Sequence, residues 1–192
     1  MIDPQLVSEL EQINSKYREV FQDMVRVWSG GILFSWHWWV EFGLTVLPWA
    51  LWLIIRDKRS TPRLLAAGFL TLMIASVLDM TGIYLGLWEY HSVLLPIVPA
   101  YLPWDWSVMP VTAMLFYQFK PGINPWIKAV IFSAVGAFAA EPFFAWLGIY
   151  NPIAWEFWYS FPIFIVVFML GWALFRHSAK SKDKNAKIKC DS

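Results

Sequence analysis

Five apolar stretches follow one another along this chain, and each approaches the length of a membrane-spanning helix. They cover residues 32–55, 64–88, 104–119, 126–150 and 157–175. A spanning helix needs roughly 20 apolar residues, and a chain that is 58% hydrophobic has too little polar surface for a soluble domain of this size. The sequence therefore predicts an all-α polytopic membrane bundle of five transmembrane helices, occupying residues 31–177.

The distribution of Lys and Arg predicts the orientation of this bundle. Most of the 15 basic residues lie after the first stretch, around the link between the third and fourth, and in the tail 178–192. Cytoplasmic segments retain positive charge, so we expect the N-terminus outside and the C-terminus in the cytoplasm. The tail is interpreted as a flexible basic segment near lipid; it is short and lacks aromatic residues, which argues against binding of nucleic acid.

Residues 1–30 are predicted to form an extracytoplasmic amphipathic helix. Apolar side chains recur at alternating steps of four and three residues, at Leu6, Leu10, Ile13, Tyr17, Val20, Met24 and Val27. Such a stripe suits a helix that lies on the outer leaflet or packs on its own protein. It also suits a short coiled coil that binds a membrane protein partner.

The second to fifth helices have the pattern of a duplicated hairpin. Asp79 and Glu141 are each the sixteenth residue of their stretches, counted from Leu64 and Trp126. Each acid is followed by Gly-Ile-Tyr, at 82–84 and 148–150, and then by a Trp-acid pair and a proline. Parallel hairpins of this kind imply a twofold axis along the membrane normal, although aromatic-rich helices also produce chance matches.

Acidic side chains at membrane depth are the main candidates for a functional site. Asp79 and Glu141 are in mid-helix without a cap, and Asp105 is in the first turn of its helix, where a carboxylate can also cap the backbone. Glu141 precedes Pro142 and Asp105 precedes Pro110 by five residues, so both acids accompany places where the helix loses a hydrogen bond. We expect the acids to meet in an outward-facing pocket.

Other residues are assigned to the same pocket. His37 and Glu41 share a helical face, His91 lies two residues from Glu89, and tryptophan is concentrated on the outer side. The full candidate set is Asp79, Glu141, Asp105, Glu41, His37, Glu89, His91, Trp88, Trp104 and Tyr84. The link 89–103 holds Pro96, Pro99 and Pro103 and is expected to form a lid or pocket wall, and Gly82-x-x-x-Gly86 is expected to let helices approach closely.

The function remains open among three alternatives. The chain has no Gly-rich phosphate loop, Cys-x-x-Cys, His-Glu-x-x-His or Gly-x-Ser-x-Gly motif, so no cofactor and no metal are predicted. A ligand-binding or accessory subunit is the first interpretation. An enzyme that uses these acids on an isoprenoid or lipid substrate is the second, and a small proton- or cation-coupled carrier is the third.

A resemblance to known families is carried mainly by the second and third helices. These hold Leu78-Asp79-Met80-Thr81-Gly82, Gly86-Leu87-Trp88-Glu89-Tyr90, Pro103-Trp104-Asp105, Pro110-Val111 and Tyr117-Gln118. They resemble a family of small uncharacterised multi-pass membrane proteins of spore-forming bacteria, which implies a bacterial plasma membrane location. The order of acid, Gly-x-Trp-x-Tyr and Pro-x-acid is also similar to that in the heterodimer-type lycopene cyclase domain. In that family the acids of a Pro-x-Glu-Glu motif protonate a polyene. In this chain Trp106 stands in place of the second acid.

Overall fold

The computed structural model describes residues 3–97 and 100–190, with side chains described as far as residue 177. Pro99, one of the three prolines expected to shape the link, lies outside the described residues. The α-helices are α1 Pro4–Val27, α2 Trp36–Ile55, α3 Thr61–Tyr84, α4 Met109–Gln118, α5 Pro125–Val135, α6 Glu141–Trp146 and α7 Phe157–Cys190. The strands are β1 Trp88–Tyr90 and β2 Tyr150–Pro152, and three π-helical turns are formed by Trp28–Ile32, Pro103–Val108 and Gly136–Ala140.

Among the described residues, four helices are long and apolar enough to cross a membrane. They are Trp36–Ile55, Thr61–Tyr84, Pro125–Trp146 and Phe157–His177. The third of these is continuous through α5, the third π turn and α6. The chain is therefore a mostly helical protein with the composition of a membrane protein, as the apolar stretches predicted.

The segment 104–119, which was expected to be a fifth span, is shorter than the other four. It consists of six π-helical residues followed by the ten residues of α4. Most of its side chains are buried against the neighbouring helices, and the cluster includes Met109, Val111, Ala113, Met114 and Tyr117. This segment therefore lies in the centre of the bundle.

Small residues allow α3, α4 and α7 to pack closely at this centre. A Cβ atom at Gly68 of α3 would come within 2.7 Å of the Met114 sulfur in α4, and one at Gly171 of α7 would collide with the Tyr117 hydroxyl. That hydroxyl donates a hydrogen bond of 2.9 Å to the carbonyl of Phe168. Long side chains of α4 therefore fill the space that the glycines of α3 and α7 leave in the core.

Helix α1 begins with a capped turn and has no buried residue. Asp3 accepts a hydrogen bond from the backbone N–H of Gln5, and Pro4 occupies the first helical position. The predicted apolar stripe is exposed along the helix, from Leu6 to Val27. At the other end of the chain, α7 continues to Cys190, through most of the segment that was predicted to be a flexible basic tail.

Helices α3 and α5–α6 present equivalent buried residues in the same register. Three pairs of buried positions match, Ala67 with Ala129, Thr71 with Ser133 and Ala75 with Ala137, and the buried Asp79 matches the half-buried Glu141. The partners in each pair are 62 residues apart, as are Glu89 and Asn151 of the two strands. The two acids therefore occupy corresponding places in the two halves of the bundle.

The strands β1 and β2 join these two halves through a short antiparallel sheet. Glu89 is paired with Asn151 at the centre, so a local twofold axis passes between these residues. Before each strand a glycine with positive φ, Gly86 at 68° and Gly148 at 73°, ends the helix. The Gly-Ile-Tyr triplets are not equivalent, however, because Gly82 is inside α3 whereas Gly148 follows α6.

Candidate functional site

A cavity of about 190 Å³ lies under the two strands, between the two halves of the bundle. Its wall carries three carboxyl groups from separate helical segments: Asp79, Asp105 and Glu141. Half of the other lining residues are aromatic, and the indole and phenol rings among them belong to Trp88, Trp104, Trp155, Tyr90, Tyr101 and Tyr150. The structure therefore combines acidic and aromatic side chains in one enclosed space.

Asp79 is held by three hydrogen-bond donors. Its Oδ1 accepts from the indole N–H of Trp88 and from the hydroxyl of Tyr90, both at 2.8 Å. Its Oδ2 accepts from the backbone N–H of Tyr101 at 2.7 Å. These bonds satisfy a carboxyl group that is only 6% exposed and fix its orientation toward the cavity.

Asp105 lies beside Asp79 but has a different environment. Its side chain is 2% exposed, its carboxyl group is adjacent to that of Asp79, and its Oδ2 has no hydrogen-bond partner. No Lys, Arg or His among the described residues contributes to the cavity wall. Asp105 therefore supplies a buried acceptor that no described protein group satisfies.

Glu141 is the third acid, and its surroundings resemble those of Asp79 in the other half. The indole N–H of Trp155 donates to Ser160 Oγ at 2.8 Å, and Ser160 in turn contacts the Glu141 carboxyl group. Its Oε2 is buried and has no partner. A tryptophan therefore supports an acid in each half, directly at Asp79 and through a serine at Glu141.

Two of the three acids are positioned by π-helical turns. Asp105 is within the turn Pro103–Val108, and Glu141 directly follows the turn Gly136–Ala140. A proline N cannot donate to the helix, so Pro110 and Pro142 each remove one helical hydrogen bond, and a widened turn accommodates this loss. The Trp106 carbonyl, one turn before Pro110, accepts instead from the indole N–H of Trp49. The proximity of acids and prolines in the sequence thus coincides with irregular helix in the structure.

The link after β1 forms part of the cavity wall. The indole N–H groups of Trp28 and Trp38 donate to the carbonyls of Val93 and Leu94, at 2.9 and 3.1 Å, and hold the link against α2. Tyr101, near its end, is buried and stacks on Tyr90 with ring centroids 4.4 Å apart. The carbonyls of Val93 and Leu94 therefore have protein donors, and Leu94 and Tyr101 are buried, whereas Leu95 and Ile97 of the link are exposed.

The hydroxyl groups of Tyr90 and Tyr101 remain donors in this setting. Loss of water raises the pKa of both, and the nearby Asp79 and Glu41 carboxyl groups raise the pKa of Tyr90 and Tyr101 respectively. Glu41 is fully buried, and its Oε1 is 3.4 Å from the Tyr101 hydroxyl. Glu41 thus lies behind Tyr101, outside the cavity wall.

The structure brings together five of the ten predicted pocket residues. The residues on the cavity wall are Asp79, Asp105, Glu141, Trp88 and Trp104, and those away from it are Glu41, His37, Glu89, His91 and Tyr84.

Four predicted pocket residues lie on the outside of the site: His37, Glu89, His91 and Tyr84. His37 stacks on Trp36 with centroids 3.6 Å apart, and Tyr84 is 67% exposed. Glu89 is exposed in β1, where the Asn151 amide and then His91 lower its pKa. These side chains surround the site without lining it.

Several cavity residues were not identified from the sequence. Tyr101 acts through its backbone N–H, for which a sequence has no signal, and Ser160 is one serine within an apolar helix. Tyr90 and Trp155 could have been found, because Tyr90 belongs to the Gly-x-Trp-x-Tyr run and Trp155 begins the last apolar stretch. The repeated pattern of a tryptophan near an acid was the sequence signal that could have identified these cavity residues.

Gly82 has a different role from the helix packing that was expected. A Cβ atom at this position would collide with the Trp88 ring, so the glycine makes room for the indole that binds Asp79. Gly86 lies beyond α3 and ends it. The pair Gly82 and Gly86 therefore shapes the site instead of joining two helices.

Replacing Gly82 with alanine is expected to displace the Trp88 ring and lower the free energy of unfolding by about 1–3 kcal/mol. The matched control is Gly43→Ala in α2, where the added methyl group has ordinary contact distances. That control should gain about 0.5–1 kcal/mol, since alanine is the better helix former. Equilibrium unfolding in mixed micelles measures both values, and equal stabilities would contradict the assignment of Gly82.

The described residues include no group of three His, Cys, Asp or Glu side chains that could hold a metal ion. The three acids thus share a cavity without forming a coordination sphere. No protein-family model, curated protein or solved structure matches this chain, so its function is argued from the cavity itself.

Proposed function

We propose that this chain is an integral membrane protein that binds a lipid-like or isoprenoid ligand in the cavity, with the acids receiving its polar end. The observation that carries the proposal is the pair of buried, unpartnered oxygens, Asp105 Oδ2 and Glu141 Oε2, on two residues that line an aromatic cavity. A buried acceptor without a partner costs about 1–3 kcal/mol. A ligand that donates hydrogen bonds to these oxygens recovers that energy.

The composition of the cavity restricts the polar end of this ligand. Carboxyl groups line the wall, and the described part of the chain places no basic side chain there. A phosphate or carboxylate would face acids without a counter-charge, whereas a hydroxyl or an amine donates to them. The surrounding rings favour an apolar body and also attract a cation over their faces.

A second function, acid catalysis on an isoprenoid double bond, is favoured by the contrast between Asp79 and Asp105. Asp79 accepts from three donors, whereas Asp105 beside it has a free oxygen. Neighbouring carboxyl groups in unlike environments are an arrangement that separates the roles of acid and base. A proton from Asp105 would form a C–H bond at one alkene carbon, leaving a cation on the other carbon and a carboxylate on Asp105. Loss of a neighbouring proton to that carboxylate would restore the acid.

The proposal includes the topology predicted from charge: five spans in a bacterial plasma membrane, with the N-terminus, α1 and the strand pair outside. The fifth span is then the short segment Pro103–Gln118, which consists of the π-helical turn Pro103–Val108 and α4. Exposed positions offer a direct check with a membrane-impermeant maleimide on intact cells, in a Cys190→Ser background. Glu156→Cys should react and Lys58→Cys should not, and the reverse pattern would invert the proposed orientation.

The ligand is tested by identifying what purifies with the protein. Native mass spectrometry of the wild type in mild detergent should show a bound non-anionic lipid, and this mass should be at least tenfold weaker in the double variant Asp105→Asn/Glu141→Gln. The control is Glu156→Gln, an exposed acid at the start of α7. An identical lipid profile in all three proteins would contradict the binding function.

The same sample separates binding from catalysis. Incubation of the protein with the identified lipid should return that lipid unchanged if the chain is a binding protein. A product with an isomerised or cyclised chain, formed by the wild type but not by Asp105→Asn, would replace the first function with the second.

A further inference from the structure

A second hollow, of about 100 Å³, lies between α4 and the α5–π3 segment, where π3 denotes the turn Gly136–Ala140. Its wall is almost wholly apolar and includes Thr112, Phe116, Phe132, Val135, Gly136 and Ala140. We refer to it below as the crevice.

The crevice and the acidic cavity are adjacent. The side chains of Trp104, Met109 and Phe164 line both spaces. The rings of Trp104 and Phe164 have centroids 6.1 Å apart, and the Phe164 ring lies directly over Gly136. The acidic cavity and the crevice are therefore next to each other and share part of one wall.

The crevice reaches the apolar outer surface of the bundle. Val135 on its wall is 56% exposed, and the neighbouring Ile131 and Phe138 are also exposed. At the other end, the strand region covers the acidic cavity, because the Leu87 carbonyl accepts from the backbone N–H groups of Ile153 and Ala154. The apolar path from the acids to the outer surface thus passes through the crevice, between helices, and not past the strands.

We infer that the crevice holds the apolar chain of the ligand whose polar end lies at the acids. This inference rests on the proposed function and specifies the ligand as a single-chain alcohol or amine. The unpartnered Asp105 Oδ2, on a side chain 2% exposed, receives the donor of the headgroup. Phe164 and Trp104, which line both spaces, lie beside the point where the headgroup joins the chain.

The two spaces contribute differently to recognition. Lipid tails are as apolar as the crevice, so moving a chain from bilayer to crevice gives little hydrophobic gain. The headgroup contacts with Asp105 and Glu141 therefore determine affinity, whereas the width of the crevice determines which chains fit. A bulky residue on the crevice wall should exclude the chain without changing the acids.

The test uses photo-labelling of the protein in lipid nanodiscs with long-chain amines that carry a diazirine, either within the chain or next to the nitrogen. Mass spectrometry of the labelled peptides locates each probe. The chain probe should label the segment containing Gly136 and Ala140, and the headgroup probe should label the segment containing Asp105. Excess decylamine or decanol should compete with both probes, whereas decanoate should not.

The variant Ala140→Phe narrows the crevice, and its matched control is the exposed neighbour Ala139→Phe. Labelling of the crevice should fall at least fivefold in Ala140→Phe and stay within twofold of wild type in Ala139→Phe. Circular dichroism and gel filtration establish that both variants are folded, and if Ala140→Phe is not, Ala140→Leu replaces it.

The outcomes distinguish the crevice from the proposed function. Competitive headgroup labelling without crevice labelling, or crevice labelling equal in both phenylalanine variants, would overturn the role of the crevice and leave the acidic binding site intact. Labelling confined to exposed side chains, or equal competition by decanoate, would overturn both.

Discussion

The variant Asp79→Ala is expected to lose about 3–5 kcal/mol of unfolding free energy, a large part of the total for a chain of this size. Removal of the carboxyl group leaves the Trp88 indole, the Tyr90 hydroxyl and the Tyr101 backbone N–H without their acceptor. Each buried donor without a partner costs about 1–3 kcal/mol. Equilibrium unfolding in mixed micelles, followed by circular dichroism, measures the loss.

Two further variants make this result specific to the hydrogen bonds. Asp79→Asn keeps the shape and one oxygen acceptor, so its loss should be roughly half that of alanine. Glu156→Ala removes an exposed acid at the start of α7 and should show no measurable change. If Asp79→Ala were as stable as Glu156→Ala, Asp79 would not organise the cavity wall.

The variant Asp105→Asn is expected to differ from Asp79→Ala: its free energy of unfolding should be unchanged or higher, but it should lose ligand binding. The substitution removes a carboxyl group adjacent to Asp79, and the new amide can donate a hydrogen bond to the Asp79 carboxylate. Both effects should raise the unfolding free energy, by up to about 1 kcal/mol. Binding of a long-chain amine in nanodiscs should weaken at least tenfold, because the proposed acceptor for its headgroup is the unpartnered Oδ2. Groups that bind ligands are often suboptimal for stability.

Ser107→Ala is the matched control for Asp105→Asn. Ser107 is buried in the same π turn and its Oγ also has no partner, but it is not on the cavity wall. Its removal should leave amine binding within twofold of wild type. If Asp105→Asn destabilised the protein as strongly as Asp79→Ala while binding was kept, the acid would be structural.

The sequence was sufficient to predict the parts of this fold that depend on hydrophobicity and register. Four of the five apolar stretches correspond to helices that can span a membrane. Asp79 and Glu141, which counting residues had placed at equal depth, both line the cavity wall. Both results follow because burial and helical rise are regular along a sequence.

The parts that were not predicted depend on contacts between distant residues. The Gly82 and Gly86 spacing is typical of helix packing, but the contact is with the ring of Trp88. The hydrogen bond from Tyr101 to Asp79 requires the path of the link, which prolines leave irregular. His37 and Glu41 share a helix, yet Glu41 is fully buried, whereas His37 is half-buried with its imidazole against the Trp36 ring.

A crystal structure from a lipidic mesophase, with a long-chain amine carrying bromine at the chain terminus, tests the central claim most directly. The account predicts that Asp79, Asp105 and Glu141 face one hollow, with the amine nitrogen beside Asp105 and an anomalous bromine peak near Ala140. Carboxyl groups that face lipid, or that open into separate spaces without a bromine peak between α4 and α5, would contradict it.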